Sequence, residues 1–368
     1  MIDQSFSYQF YKTTNEAWEA MFESLKTAQK SIYWEVYIFV DDEIGNKFLE
    51  VLAQKARAGV VVKLIIDAYG SADFSEAAEK FCAQAGVEVL KYSRMYPELK
   101  VWTWINRLLH RNHRKVLIID EEIVFLGGVN VQAHFQKWAD LYLKLTGKIS
   151  RPLLRGFAKS YVASGGNREN VLHLLHPKLK EVFPAWKQKF KFIVSSASSS
   201  TTPRSKRLYL QAISMAKESV NLLTPYYVPD AQFLRAMALA KQRGVKVNIF
   251  LPLRPDHKIM ELMARAYYDL TAKAGATIYL LPIMNHGKAM SIDDKMGMVG
   301  SINLTPRSFS HNEESAVSFT DEEMVKNLNT LFNDWKTTAQ PLDMVTWSHR
   351  HWLSRIRDWV IKKLEHFV

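Results

Sequence analysis

Cysteine is almost missing from this chain, with Cys82 the single instance in 368 residues. An internal disulfide is therefore excluded, and a disulfide-stapled secreted scaffold with it. Cys82 sits in an alanine-rich helical pattern (Ala77, Ala78, Cys82, Ala83, Ala85) and reads as packing rather than as a nucleophile. Acidic residues are also short: 37 Asp and Glu against 49 Lys and Arg leave a formal charge of +12. Such a surface suits partners that carry phosphate, namely nucleic acid, anionic lipid or phosphorylated metabolites. No apolar run reaches the roughly 18 to 20 residues that a membrane span needs. The opening Met1-Ile2-Asp3-Gln4 has neither the basic region nor the apolar core of a secretory signal. The expectation is a cytosolic protein, or one bound to a membrane from that side. No His or Cys cluster has metal-ligand spacing, and Gly127-Gly128 is too short for a nucleotide loop, so neither a metal nor an organic cofactor is expected.

What is present is a globular composition, 48% hydrophobic and 23% charged, in a chain long enough for two lobes. The chain also repeats itself. Ser31-Ile32-Tyr33-Trp34-Glu35-Val36-Tyr37-Ile38-Phe39-Val40-Asp41-Asp42 parallels Ser219-Val220-Asn221-Leu222-Leu223-Thr224-Pro225-Tyr226-Tyr227-Val228-Pro229-Asp230. The stretch from Arg57 to Ile66 answers that from Gln242 to Leu251, and Ala85-Gly86-Val87 answers Ala274-Gly275-Ala276. Each pair is a helix that ends at a glycine C-cap and is followed by a strand. The order strand, helix, strand, helix, strand in both halves predicts an α/β fold: two tandem α/β/α sandwich lobes related by a pseudo-two-fold axis. The expected bounds are 1–194 for the first lobe, 195–205 for a Ser/Thr-rich linker, 206–345 for the second lobe and 346–368 for a basic amphipathic helix.

The repeat closes on a duplicated motif, His113-x-Lys115-x4-Asp120 and His286-x-Lys288-x4-Asp293. Both copies continue into Gly-[Gly/Ser]-x-Asn, which puts Asn130 and Asn303 17 positions after their histidines. A lone His-x-Lys pair is ordinary surface or core material, but two copies with matched tails inside a matched repeat point to catalysis. Residues 115–120 and 288–293 read as buried strands. Alternation along a strand puts His113 and Lys115 on one face and turns Asp120 away, in a supporting position.

The chemistry that fits is phosphodiester transfer, which needs a nucleophile, cations for the non-bridging oxygens and an acid for the leaving alcohol. One neutral imidazole attacks phosphorus to give a phosphohistidine, and the other, protonated, serves the leaving oxygen. Lys115, Lys288, Asn130 and Asn303 hold the phosphate oxygens. Both histidines must then reach one phosphate, which places the expected site at the interface of the lobes. A carboxylate should orient each imidazole. Asp140 in Trp138-x-Asp140 and Glu314 in Asn312-x-Glu314 are the candidates, with Glu313 an alternative for the second place.

With these residues in view the chain resembles the phospholipase D superfamily from about Ser31 to Phe319, and most of all the bacterial cardiolipin synthases. Beyond the paired motif, the resemblance rests on Glu35-x-Tyr37-x-Phe39-x-x-Asp42-Glu43, Thr224-Pro225-Tyr226-Tyr227-x-Pro229-Asp230, Pro255-Asp256-His257-Lys258 and Gly300-Ser301-x-Asn303-x-x-x-Arg307-Ser308-Phe309. It implies transfer of a phosphatidyl group from one phosphatidylglycerol to a hydroxyl of another, with His113 as nucleophile and His286 as acid and base. It further implies a place at the bacterial cell membrane, here peripheral on the cytoplasmic side, because the two N-terminal membrane helices of many members are not in this sequence.

Two segments are candidates for membrane contact or substrate entrance. Residues 346–368 carry Trp352, Ile356, Trp359, Val360, Leu364 and Phe367 at helical spacing beside Arg350, Arg355, Arg357, Lys362 and Lys363. The alternative for this segment is a terminal helix docked on its own lobe. Residues 101–111 combine Trp102, Trp104 and Ile105 with basic residues just before the first motif, with simple core packing as the alternative. Two rival functions suit the same charge: a nucleic-acid phosphodiesterase of the same superfamily, and a membrane-binding protein without turnover.

Overall fold

The computed structural model describes residues 6–93, 110–147, 151–175, 189–196, 200 and 202–363. Two compact units emerge. The first is Met1–Val194 together with Asn312–Ala316, and the second is Ser195–His311 together with Val317–Val368. The chain passes from the first unit to the second after Val194, and Asn312–Ala316 returns to the first.

The first unit runs β1 (Ser7–Thr13), α1 (Thr14–Lys26), β2 (Ser31–Val36), α2 (Glu43–Arg57), β3 (Val61–Asp67), α3 (Glu76–Ala85), β4 (Val87–Tyr92), β5 (Arg111–Asn112), β6 (Val116–Ile119), β7 (Ile123–Gly127), β8 (Ala139–Thr146), α4 (Arg151–Ala163), α5 (Leu172–Leu175) and β9 (Phe190–Ser195). Its seven-stranded sheet has the order β1-β8-β7-β6-β2-β3-β4. The sheet is mixed: β2, β3 and β4 are parallel, as the alternating sequence predicts, while β6, β7, β8 and β1 are antiparallel. Alternation along β2 builds the layers. Trp34 faces Phe48 of α2 at 5.1 Å between ring centroids, and Tyr33 faces Phe157 of α4, also at 5.1 Å. Cys82 is fully buried in the core cluster that holds Trp34 and Phe48, and burial pushes its thiol up to about 11, which suits a packing role.

The second unit runs α6 (Arg204–Met215), β10 (Ser219–Leu223), α7 (Ala231–Gln242), β11 (Lys246–Pro252), α8 (Lys258–Lys273), β12 (Ala276–Leu281), β13 (Ala289–Ile292), β14 (Met296–Gly300), α9 (Pro306–Ser310), β15 (Asn312–Phe319), α10 (Glu322–Thr338), β16 (Gln340–Pro341), α11 (Met344–Ser348) and α12 (Trp352–Lys362). The strand order is β16-β12-β11-β10-β13-β14-β15. Helix α6 starts at Arg204, inside the stretch expected to be linker, because Pro203 supplies a helix-compatible start.

The two halves share their register as well as their order. Ile32 pairs with Ile119 across β2 and β6, and Val220 pairs with Ile292 across β10 and β13, at the offsets found in the sequence. Asp42 and Asp230 cap the equivalent helices α2 and α7 with their side chains. The paired glycines Gly59 and Gly244, and Gly86 and Gly275, all take positive φ between 86° and 90°.

The last helix, α12, is inside out. Asp358 is only 4% exposed and meets Arg350 at 3.4 Å and Arg357 at 3.1 Å, while Arg350 also donates to Asp269 of α8 at 2.8 Å. The apolar residues Trp352, Leu353, Ile356 and Val360 point outward, between 49% and 61% exposed. Among the described residues, no helix is long and apolar enough to cross a membrane.

Candidate active site

Each copy of the motif begins with an asparagine, which is not among the residues expected above. Asn112 Oδ1 accepts from the N–H of Arg114 at 3.2 Å, and Asn285 Oδ1 accepts from the N–H of Gly287 at 2.9 Å. The turn so formed presents the histidine between them. The signal was legible, since both motifs read Asn-His-x-Lys.

In the first unit, β5 pairs in parallel with the start of β15, Arg111 opposite Asn312 and Asn112 opposite Glu313. The N–H of His113 continues this ladder to the carbonyl of Glu313 at 2.9 Å. The next residue on β15, Glu314, is fully buried and holds His113 Nδ1 from both carboxylate oxygens, each at 3.1 Å. In a neutral imidazole, Nδ1 donating to this buried carboxylate leaves the lone pair on Nε2. Lys115 Nζ donates to the carbonyl of His113 at 2.8 Å and lies 5.1 Å from the ring centre of Tyr37. That ring in turn stands edge-on to His113 at 5.0 Å.

Arg114, between them, points the opposite way into buried polar surroundings. Its guanidinium donates to Ser160 Oγ at 2.7 Å, pairs with Glu313 and lies 3.6 Å from Glu35. Glu313 thus belongs to Arg114, and it is Glu314 that meets the imidazole. Glu35 also accepts from Asn112 Nδ2 at 3.0 Å, and Asp67 accepts from the Asn112 N–H at 2.9 Å with Arg111 3.6 Å away. Burial raises the Asp67 carboxyl above its usual range even though Arg111 and three backbone donors oppose the shift.

In the second unit Lys288 Nζ donates to the His286 carbonyl at 2.6 Å and reaches His286 Nε2 at 2.9 Å. The ring of Tyr226 stands edge-on to His286 at 6.1 Å, and its hydroxyl donates to Asp256 at 2.8 and 3.0 Å. The positions that carry charge behind His113 are apolar here: in the repeat register Glu35 answers to Leu223, and Arg114 to Gly287.

The motif aspartates lie away from the imidazoles, in tight turns where Asp120 and Asp293 take φ of 53° and 51°. Asp120 accepts from the N–H groups of Gln29, Lys30 and Ser31 at 2.7–2.9 Å, and Asp293 accepts from those of Lys217, Glu218 and Ser219 at 2.7–2.8 Å. Each carboxylate ties the β-hairpin of its motif to the start of the neighbouring strand. At Asp293 burial pushes the carboxyl up, but the three backbone donors outweigh it and hold the group below its usual range.

Asn130 and Asn303 are both buried. Asn130 Oδ1 accepts from the Ile38 N–H at 3.2 Å, whereas Asn303 Oδ1 has no hydrogen-bond partner among the described residues. Asp140 is buried at the start of β8 and accepts from the Leu141 N–H at 2.7 Å. Trp352 lies on the exposed face of α12. Trp102, Trp104, Ile105 and the side chain of Trp359 lie outside the described residues. Among the described residues, no three His, Cys, Asp or Glu side chains converge as they would on a metal ion.

The family model described as cardiolipin synthase, phospholipase D-like domain, matches residues 21–139 and again residues 209–335. The chain belongs to that family. Cardiolipin synthase from Clostridium perfringens is 32% identical over 369 residues, covering 96% of this chain and 75% of that protein. The major cardiolipin synthase of Bacillus subtilis is 32% identical over 333 residues, covering 87% and 66%. The fold is shared with phosphatidylserine synthase of Haemophilus influenzae, at a TM-score of 0.72 and 13% identity over 100% of this chain and 94% of that one. As a member of the cardiolipin synthase, phospholipase D-like family, the protein is a phosphatidyltransferase of phospholipid biosynthesis.

Proposed function

We propose that the protein makes cardiolipin by moving a phosphatidyl group from phosphatidylglycerol to a hydroxyl of a second phospholipid, through a phosphohistidine. The observation that carries this reading is the grip of Glu314 on His113 Nδ1, which leaves Nε2 as the attacking atom. In the first step Nε2 of His113 bonds to phosphorus, the bond to the glycerol oxygen breaks, and protonated His286 gives its proton to the departing glycerol. In the second step the acceptor hydroxyl attacks phosphorus and gives its proton to His286, and the P–N bond breaks. Lys115 and Lys288 neutralise the non-bridging oxygens, and the amides of Asn130 and Asn303 donate to them. The scheme needs both imidazoles at one phosphorus, with Asp140 serving His286 as Glu314 serves His113.

Mixed micelles of phosphatidylglycerol and purified protein should yield cardiolipin and glycerol. His113→Ala and His286→Ala should each abolish this. Full turnover by either variant would overturn the two-histidine scheme.

The membrane-facing surface in this reading is the outward face of α12, with Arg357 at its border and an anionic bilayer as its partner. Attachment is then peripheral, on the cytoplasmic leaflet of a bacterial membrane. Vesicles rich in phosphatidylglycerol should bring down the unaltered protein. A Trp352→Glu, Ile356→Glu variant should stay in solution, and equal sedimentation of the two would remove α12 from the role.

A further inference from the structure

A cavity of about 650 Å³ opens in the second unit between the end of β11 and the first turns of α8, lined by Arg254, Asp256, Lys258, Glu261 and Arg265 among others. It lies at the carboxyl ends of the parallel strands, where α/β sheets bind ligands. His286 shares that edge of the sheet, since β13 pairs antiparallel with β10 and Ala289 stands opposite Leu223. Three cations and two acids line the pocket. Glu261 is already matched by Lys258 at 2.8 Å and Arg265 at 3.4 Å. Arg254 is exposed and has neither an ion pair nor a hydrogen bond among the described residues. The first turn of α8 also enters without a side-chain cap, which adds positive potential at the same wall. Tyr226 links this pocket to His286: its ring stands edge-on to the imidazole and its hydroxyl donates to Asp256 of the lining.

We propose that this pocket holds the phosphate of the acceptor phospholipid, the phosphodiester that is not cleaved. The proposal rests on the reading above, in which two anionic lipids react. An acceptor phosphatidylglycerol carries its own negative phosphate a glycerol's length from the hydroxyl that attacks. The motif lysines are engaged by the phosphoryl group on its way between lipids, so the second phosphate needs cations of its own. Arg254 supplies a planar fork for it, and Lys258 can share its three donors between Glu261 and the phosphate. The ring of Tyr226 is then the wall that the acceptor's glycerol crosses to reach the phosphohistidine.

Two acceptors, one carrying a phosphate of its own and one without, test this. Purified full-length protein and Arg254→Ala are given phosphatidylglycerol in mixed micelles with labelled glycerol, and both cardiolipin and labelled phosphatidylglycerol are measured. Glycerol carries no phosphate, so exchange of its label should be unchanged in the variant. Cardiolipin formation should fall by roughly tenfold, through a raised KM for the lipid acceptor, and Arg254→Lys should recover part of it. Equal loss of both products, or loss of neither, would overturn the assignment. If the unaltered protein gives neither product, the parent reading itself fails.

Discussion

The surroundings of His113 and His286 share a backbone and differ in what stands behind it. Each has an Asn-anchored turn, a lysine two residues on and a carboxylate that closes the hairpin. Behind His113 lie Glu35, Asp67, Arg111, Arg114 and Glu313, all ionisable and almost all buried. Behind His286 the same positions include Leu223 and Gly287. Duplication therefore preserved the parts that aim the imidazole and let the support diverge. A buried ionic lattice is a costly way to stabilise a fold but fixes geometry when every member is partnered. A histidine that must attack along one line gains most from such a mount, whereas one that passes protons tolerates a lighter one. In the proposed scheme this mount favours His113 over His286 as the nucleophile.

The sharpest way to break the comparison is Glu314→Gln. The isosteric amide keeps the contact but not the charge, and activity should fall by about 10²–10⁴-fold while the melting curve moves little. A fall of less than about threefold would mean that Glu314 does not set the tautomer. Next comes Arg114→Gly, which gives the first motif the sequence of the second. It strands Glu35 and Glu313 in the interior and should cost about 3–5 kcal/mol in denaturant unfolding. Near-neutral stability would show that the lattice is dispensable.

The aspartates sharpen the likeness instead. Asp120→Asn and Asp293→Asn should each cost about 1–3 kcal/mol, because each unseats a charged acceptor of three backbone donors. For Asp293 the sign with pH follows from its depressed carboxyl: its stabilisation is present in full above the unfolded-state value near 4 and is lost as pH falls through the lower folded value. The stability gap between the unaltered protein and Asp293→Asn should therefore close in acid. A gap that is constant with pH would contradict it. The smallest effect is expected for Asn285→Ala, about 1 kcal/mol from one turn hydrogen bond, against a larger loss for Asn112→Ala, which also removes the amide that donates to Glu35.

Much of this was legible in the residues. The α/β repeat, the glycine caps, the buried motif strands and the turning away of Asp120 all follow from periods of 2 and 3.6 and from spacing, which are local properties. The antiparallel half of each sheet was less legible, because buried strands such as Val116–Ile119 look alike in parallel and antiparallel ladders. Asn112 and Asn285 recur in both motifs, but a neutral amide that does not titrate carries no chemical signal of its own in a sequence. The outward apolar face of α12 was beyond reach from sequence, because an amphipathic pattern does not say which face the protein covers.

The sequence by itself determined that one motif occurs twice in equivalent surroundings and how each hairpin is built, since those depend on neighbours within a few positions. Only the tertiary structure decided that Glu314, 201 residues from His113, is the acid that holds it. That pairing depends on β5 meeting β15 in one register, and a one-residue slip would turn Glu313 to the imidazole and Glu314 away. No spacing along the chain encodes a contact set by which strands lie side by side.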